Sequence, residues 1–397
     1  MSKNTVAAID FGTSKIVTLV AENSNSQRCD IIGNGIAVYD GYLEEGWNNP
    51  GELEDAIRTS IDQAEKQSKH KIRTINVGVP GAFIKVYATE VTLELTGNDP
   101  RVTPEDVKNA FKRAADELSE LPGAMIHSSP AWFMVDNGKK TLEPVGLKGR
   151  ELKALISFVT ASRFFVDEIN NRMANMGITV SGFYSTPSGE AMLYLPEEDR
   201  DRTAVLIDIG YLNTEVMVME GDAMLFHQNI DMGGGYMAAD LAEGLDIPLE
   251  SAERIKREYV YGMATGDATY SAGQSAGQKP LTFEREQVAE VLEARVDELA
   301  AEIKQVIEES GVRLGGWSNI YLTGGGLAFN RGGREYLANR LERPIRDIPK
   351  RTTKLNNHSM SSALGLMDLI IDTVERQSQS TNAVTAAFKN FFRNLFG

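Results

Sequence analysis

The chain has 397 residues, 42% of them hydrophobic and 24% charged, the make-up of a folded globular protein and too long for one ordinary core. Its 41 Lys and Arg stand against 56 Asp and Glu, a net charge of −15, which argues against nucleic acid as a partner because that binding depends on cations neutralising phosphates. A single cysteine, Cys29, excludes an internal disulfide or a cysteine-built zinc site, and no run of about 18 uncharged apolar residues offers a transmembrane helix.

Helical and strand patterns alternate along the chain, so an α/β class is expected. The first residues, MSKNTVAAIDFG, hold only a short apolar run before Asp10, so no signal peptide is read there and the body is cytosolic in character. Residues 6–22, VAAIDFGTSKIVTLVAE, form an apolar strand, an Asp-x-Gly turn and an alternating strand. The same pattern returns at 204–220, AVLIDIGYLNTEVMVME, and such an internal repeat suggests two similar lobes. Gly12 and Gly210 let the backbone turn sharply and approach a ligand closely. Thr13 and Ser14 suit a turn whose N–H groups cradle phosphate oxygens, and Lys15 can reach such a phosphate. Asp10 and Asp208, at the ends of buried strands, are candidates to hold Mg2+ through its waters. The plainer alternative is a pair of ordinary hairpins with turn glycines.

From about 84 to 162 the pattern is strand, helix, strand, strand. The helix in RVTPEDVKNAFKRAADEL carries its own start signal: Thr103 as N-cap, Pro104 at the first helical position, Glu105 and Asp106 in the first turn. Further on, DMGGGYMAADLAEGL puts Gly233 and Gly234 at the mouth of a helix, where N–H groups favour anions. SAERIKREY sets Glu253 and Lys256 three apart on one helical face, a spacing equally suited to a solvated ion pair. YSAGQSAGQ (270–278) reads as a mobile loop, and IYLTGGGLAF brings a strand into Gly324, Gly325 and Gly326, where backbone can press against a base or sugar. His70, His127, His227 and His358 are scattered without ligand spacing. After residue 374, ERQSQSTNAVT is polar and aperiodic and reads as a tether. Beyond it Phe388, Phe391, Phe392, Leu395 and Phe396 recur at helical spacing over an arc of about 140°, with Lys389 and Arg393 beside it. From residue 384 such a helix is roughly 20 Å long at 1.5 Å per residue. That is short of a hydrocarbon core of ~30 Å, so it suits lying in a membrane interface, or else docking on the protein's own core.

The ordered set IDFGTSK, IDIGYLNTE, MGGGY, AERIK and LTGGGLAF resembles the actin/sugar-kinase/chaperone ATPase superfamily, in which ATP sits between two lobes. The resemblance implies phosphate-loop roles for Asp10, Gly12, Thr13, Ser14 and Lys15 and for Asp208, Gly210, Tyr211 and Asn213. It implies adenosine contacts for Glu253, Lys256 and Gly324–Gly326, with ATP and Mg2+ as cofactors. No G-x-x-x-x-G-K-[ST] motif points to a P-loop instead. Within the superfamily, the unit at 84–162, the stretches INVGVPGAFI and VTPEDVKNAFKRA, and HSMSSALGLMDL near the end are similar to FtsA, the bacterial actin-like cell-division family.

That resemblance implies a bilobed actin-like ATPase fold divided as follows: first lobe core 1–83 and 163–190, inserted subdomain 84–162, second lobe core 191–245 and 313–372. It further implies a smaller subdomain of the second lobe at 246–312, a flexible linker at 373–383 and an amphipathic membrane-targeting helix at 384–397. Also implied are polymerisation into filaments, binding of the FtsZ C-terminal peptide through 246–312, and anchoring to anionic lipid on the cytoplasmic face at the division site. Arg295, in VLEARVDEL, matches a basic position of the family and is the candidate peptide contact, its alternative being a solvated helix cation. No catalytic residue is assigned. In FYSTPSGEAMLYL, Thr186 falls where many relatives in the superfamily carry a water-positioning Gln or Glu, and Tyr211 and Leu212 replace a run of glycines. Threonine is a poor base, so slow or negligible ATP hydrolysis is expected. The alternatives are another actin-like scaffold, MreB-like or pilus-assembly ATPase-like, and a sugar-kinase-class phosphotransferase. The first type would lack the insert, the second is not expected to keep a tethered tail, and the third needs a sugar pocket not visible in the sequence.

Overall fold

The computed structural model describes residues 5–24, 28–43, 46–118, 121–262, 269–273, 281–348 and 360–379. The expected membrane helix at 384–397 lies outside the described residues. The chain divides into two compact units, one of Met1–Thr203, Met217–His227 and Ser362–Gly397, the other of Ala204–Val216 and Gln228–Ser361.

The first unit begins with β1 (Thr5–Phe11), β2 (Lys15–Ser24) and β3 (Arg28–Val38), then the short β4 (Tyr42–Leu43) and β5 (Gly46–Trp47). Helix α1 (Pro50–Ser68) and strand β6 (Thr74–Val79) follow. After an inserted segment come α3 (Arg163–Asn175), β10 (Thr179–Ser185), α4 (Thr186–Tyr194) and α5 (Glu197–Arg200). Its main sheet has the order β10-β6-β1-β2-β3. The β1–β2 hairpin is antiparallel and β6 runs parallel to β1. Apolar spacing of three and four residues in α1 buries Leu53, Ile57, Ile61 and Ala64 against this sheet. The helix sits very close to edge strand β3, because a Cβ on Gly35 would lie 1.8 Å from the Ser60 carbonyl oxygen. From that position Gln67 and Gln63 accept the backbone N–H groups of Asn34 and Ile36, at 2.7 and 2.9 Å. A helix thus covers the donors that an open sheet edge would offer to another chain.

The inserted segment is β7 (Ile84–Glu94), α2 (Pro104–Glu117), β8 (Ala124–Val135) and β9 (Glu151–Ala161), with sheet order β7-β9-β8. This is the strand–helix–strand–strand unit expected from the sequence. Thr103 caps α2 as its sequence predicts: its hydroxyl accepts the Asp106 N–H at 3.2 Å and the Asp106 carboxylate accepts the Thr103 N–H at 2.8 Å. The buried face of α2, Val107, Ala110, Phe111 and Ala114, packs on Phe133, Ala154, Ile156 and Phe158.

Three boundaries differ from the sequence reading. Residues 217–227, assigned to the second lobe, cluster with the first unit. The inserted sheet holds them: Ser157 Oγ donates to the Met224 carbonyl at 2.5 Å, Lys140 pairs with Glu220 at 2.5 Å, and Ala131 and Trp132 pack on Ala223. The last helix, α10 (Ser361–Gln379), was expected to close the second lobe but belongs from Ser362 onward to the first unit. Small residues allow that packing, since a Cβ on Gly189 would meet the Gly365 carbonyl at 2.6 Å, and one on Gly365 the Glu190 backbone at 2.5 Å. Finally, α10 continues through Gln379 and so occupies residues 373–379 of the expected linker. Glu, Arg and Gln extend a helix readily once its buried turns have nucleated it.

After α5 the chain runs β11 (Ala204–Ile209), β12 (Thr214–Glu220) and β13 (Ala223–Ile230), of which 217–227 cluster with the first unit, and then α6 (Gly234–Gly244) and α7 (Leu249–Glu258) of the second. Next come β14 (Thr269–Ala272), β15 (Leu281–Glu284), α8 (Arg285–Glu309), β16 (Ile320–Thr323), α9 (Gly333–Leu341) and β17 (Ile345–Arg346). The sheet order is β13-β12-β11-β16-β17, with β16 parallel to both β11 and β17. The expected loop at 270–278 is in part strand, because Tyr270, Ser271 and Ala272 pair with β15.

Candidate nucleotide site

In the first unit the site is the turn between β1 and β2. Asp10 is the penultimate residue of a strand of mostly buried apolar residues and is itself 3% exposed. A buried carboxylate needs donors. Thr186, first residue of α4, donates to Asp10 Oδ1 at 3.1 Å, and Ser362, at the start of α10, donates to Oδ2 at 2.6 Å. The Gly12 N–H closes the turn on the Lys15 carbonyl at 3.0 Å. Burial lowers the pKa of the Lys15 amine, and the Asp10 charge opposes the shift. Thr13 is buried beside Gly41, whose φ of +75° brings its backbone against the Thr13 carbonyl.

Thr186, expected in place of a water-positioning Gln or Glu, gives its hydroxyl to Asp10. Glu190, one turn further along α4, is 1% exposed. Neither the role of Ser362 nor that of Thr186 was legible from the sequence. The Ser362 contact joins positions 352 residues apart, and a serine in a helix carries no local signal of it.

In the second unit three backbone segments meet: the turn after β11, the mouth of α6, and the glycine triplet after β16. The Gly210 N–H closes its turn on the Asn213 carbonyl at 2.8 Å, as Gly12 does with Lys15. The N–H groups of Gly234 and Gly235 donate to the carbonyls of Gly210 and Tyr211, at 2.9 and 2.6 Å. These donors at the helix mouth, read from sequence as an anion cradle, are instead committed to the turn. The glycines are there for close approach: a Cβ on Gly233 would meet the Tyr211 carbonyl at 2.6 Å, and one on Gly234 the Gly326 Cα at 2.6 Å. Gly324 has φ +91° and its Cβ would strike the Asp208 carboxylate; Gly326 would strike the Gly210 carbonyl at 2.5 Å. Only Gly325 of the triplet is exposed, with open space where a Cβ would be.

Lys256 is 2% exposed, which rules out the solvated-pair alternative. Its ammonium donates to the Gly234 carbonyl at 2.7 Å and pairs with Glu253 at 2.7 Å, while Asn330 holds the Lys256 carbonyl at 2.6 Å. Burial lowers the Lys256 pKa and the Glu253 contact opposes the shift. Its function in this structure is to fasten α7 to the mouth of α6. Glu253 also pairs with Arg257 at 2.9 Å and is more accessible than Lys256. Burial and the Glu253 charge raise the pKa of Tyr211, so its hydroxyl stays neutral. Asn213 donates to Asn229 at 2.6 Å, fixing the turn from its far side.

The residues present fit a nucleotide and a hard cation. In the first unit the Asp10 carboxylate with the Lys15 amine beside it suits a phosphate and a hard cation, and in the second the Asp208 carboxylate and the exposed backbone of Gly325 each suit such a ligand by themselves. The Thr323 hydroxyl, paired in register with Asp208, is buried and has no hydrogen-bond partner among the described residues. No group of three or more His, Cys, Asp or Glu side chains able to hold a metal is found among the described residues.

Two family models match this chain: the cell division protein FtsA over residues 205–365, and the SHS2 domain inserted in FtsA over 81–160. Together the two span more than half of the chain, and the second falls on the inserted β7–α2–β8–β9 unit.

The chain belongs to the FtsA family.

It is 25% identical to the cell division protein FtsA of Streptococcus pneumoniae over 302 residues, 76% of this chain and 66% of that protein. The FtsA of Pseudomonas aeruginosa is 25% identical over 81% of this chain and 77% of its own length. Among solved structures, a chain of the PilM–PilN type IV pilus biogenesis complex superposes with a TM-score of 0.60 at 16% identity, covering 92% of this chain and 97% of that one. MreB5 of Spiroplasma citri, solved bound to AMPPNP, gives a TM-score of 0.55 at 12% identity over 96% of this chain and 100% of that one. The fold is therefore actin-like, with an SHS2 insertion.

The FtsA-family chain carries Arg295 on α8, but not as a free helix cation. Its guanidinium pairs with Asp240 at 2.5 Å and Glu298 at 2.9 Å, and these carboxylates raise its pKa further.

Proposed function

We propose that this chain binds ATP with Mg2+, polymerises, and ties an FtsZ ring to the cytoplasmic face of the membrane through an amphipathic helix at 384–397. The observation that carries the nucleotide half is the repeated turn. Each unit closes an Asp-x-Gly hairpin by a glycine N–H donating to the carbonyl three residues on. In each, the aspartate is the penultimate residue of its strand. When bound, Mg2+ would supply neutralisation of the phosphate charge, and Asp10 of the first unit and Asp208 of the second are each a candidate to hold its waters. Lys15 would meet phosphate, and Tyr211, Asn213, Glu253 and Gly325 would border the nucleoside or its phosphates.

Hydrolysis is slow in this reading. Thr186 is a poor base and its hydroxyl already serves Asp10. A steady turnover well above about 1 s⁻¹ would contradict that.

Anchoring by one short helix is weak and reversible, since helix formation offsets part of the gain from burying a few phenylalanines. Many such helices on one filament bind firmly through effective concentration. Co-sedimentation with anionic liposomes tests this half, comparing the full chain with a chain ending at Gln379, which keeps α10 whole. Loss of binding on truncation is expected; equal sedimentation of both would place the anchor elsewhere. FtsZ is the proposed partner of the 246–312 subdomain. If Arg295 contacts the FtsZ C-terminal peptide, it does so while keeping or exchanging its pairs with Asp240 and Glu298.

A further inference from the structure

The sequence VYDGYL at 38–43 lies outside every motif of the two hairpins, yet the structure wraps it around the first one. The Tyr39 hydroxyl donates to the Gly12 carbonyl at 2.7 Å, and the Tyr39 N–H donates to the Ser14 carbonyl at 3.3 Å. The Tyr42 hydroxyl donates to the Phe11 carbonyl at 3.3 Å. Between them Gly41 presses its backbone on the Thr13 carbonyl, at a φ of +75° that only glycine adopts cheaply. Asn48 ties the segment down from behind, its side chain donating to the Asp40 carbonyl at 2.9 Å and its N–H to the Gly41 carbonyl at 3.1 Å.

A peptide unit is planar and trans, so a carbonyl held on one side turns the next residue's N–H to the other. By holding the carbonyls of Gly12 and Ser14, the strap fixes which way the N–H groups of Thr13 and Lys15 point, while its hold on the Phe11 carbonyl supports the Gly12 N–H closed on the Lys15 carbonyl. The Tyr39 ring is itself fixed: it is 6% exposed and packs 6.4 Å from Trp47, which packs 5.8 Å from Phe11. Burial, with the Asp10 charge adding to it, raises the Tyr39 pKa, so the hydroxyl remains a donor at every physiological pH.

We infer that Tyr39 is a positioning residue for phosphate, orienting the 11–15 turn through the Gly12 carbonyl without touching the nucleotide. This inference rests on the reading of that turn as a phosphate loop. A preset array of N–H groups costs nothing to reorganise on binding; one free to rotate must be ordered by the ligand.

The test is equilibrium titration of the full chain with ATP and, separately, with adenosine. Tyr39→Phe keeps the ring and removes the donor. Its Kd for ATP should rise about 10-fold, equivalent to about 1.4 kcal/mol, with adenosine affinity unchanged. Asn48→Ala, on the outer face of the strap, should raise the ATP Kd about 3-fold with the same selectivity, and serves if Tyr39→Phe does not fold. Unchanged ATP affinity in a folded Tyr39→Phe would overturn the inference, as would an equal loss for ATP and adenosine, the mark of general damage. If the unmodified chain binds no ATP, the nucleotide reading fails first and the inference with it.

Discussion

Ser362→Ala removes one hydroxyl from a helix that closes on the first unit 352 residues from its partner, Asp10. The bond is 2.6 Å long and ends on a carboxylate that is almost fully buried. Hydrogen bonds to charged groups contribute about 1.5–3 kcal/mol, against roughly 1 for neutral pairs. Asp10 keeps Thr186 at 3.1 Å, so the loss should fall near the middle of that range, about 2 kcal/mol. For a unit of this size that lowers Tm by roughly 4–8 °C. Thr186→Val, which keeps shape and removes the other hydroxyl, should cost about 1–2 kcal/mol. Both bonds serve one carboxylate, so the double variant should lose more than the sum of the singles, by at least about 0.5 kcal/mol. Urea unfolding followed by far-ultraviolet circular dichroism measures all three. A Ser362→Ala cost below about 0.5 kcal/mol, with strict additivity, would show that α10 does not hold Asp10 and would refute the reasoning.

Gly324→Ala combines a φ of +91° with a Cβ that would strike the Asp208 carboxylate, so it should cost at least about 1–2 kcal/mol and weaken nucleotide binding; wild-type Tm and affinity would contradict the packing described. Gln63→Ala with Gln67→Ala uncovers two N–H groups of edge strand β3, for about 0.5–1.5 kcal/mol each; light scattering on heating should show earlier aggregation than in the parent chain. Lys15 carries a folded pKa lowered from 10.5, so in the window below 10.5 the unfolded chain binds more protons and this residue makes stability rise with pH. ATP affinity should fall over the same window as the amine loses its charge, and Lys15→Met should flatten both profiles.

Local patterns were legible in the sequence and long-range ones were not. The strand–Asp-x-Gly–strand repeats appear as written because apolar alternation and a turn glycine act over a few residues. Thr103, Pro104 and Asp106 start α2 for the same reason. The glycines of 233–235 and 324–326 were legible as special but not in their use. Each spares a backbone contact to a distant segment, and spacing alone does not distinguish that from room for a ligand. Lys256 reads as a surface cation by its helical pairing, whereas tertiary packing buries it beneath the mouth of α6. The placement of 217–227 and α10 follows from side chains such as Ser157, Trp132 and Ser362, whose partners lie in other elements.

The central claim is that two Asp-x-Gly turns make this FtsA-family chain an ATP binder. Equilibrium dialysis of the full chain with labelled ATP, with and without Mg2+, tests it most directly, with Asp10→Asn and Asp208→Asn alongside. The account predicts saturable binding of one ATP per chain, strengthened by Mg2+ and weakened at least about 10-fold, or 1.4 kcal/mol, by either substitution. No saturable binding up to about 1 mM ATP, or binding indifferent to both aspartates, would contradict it.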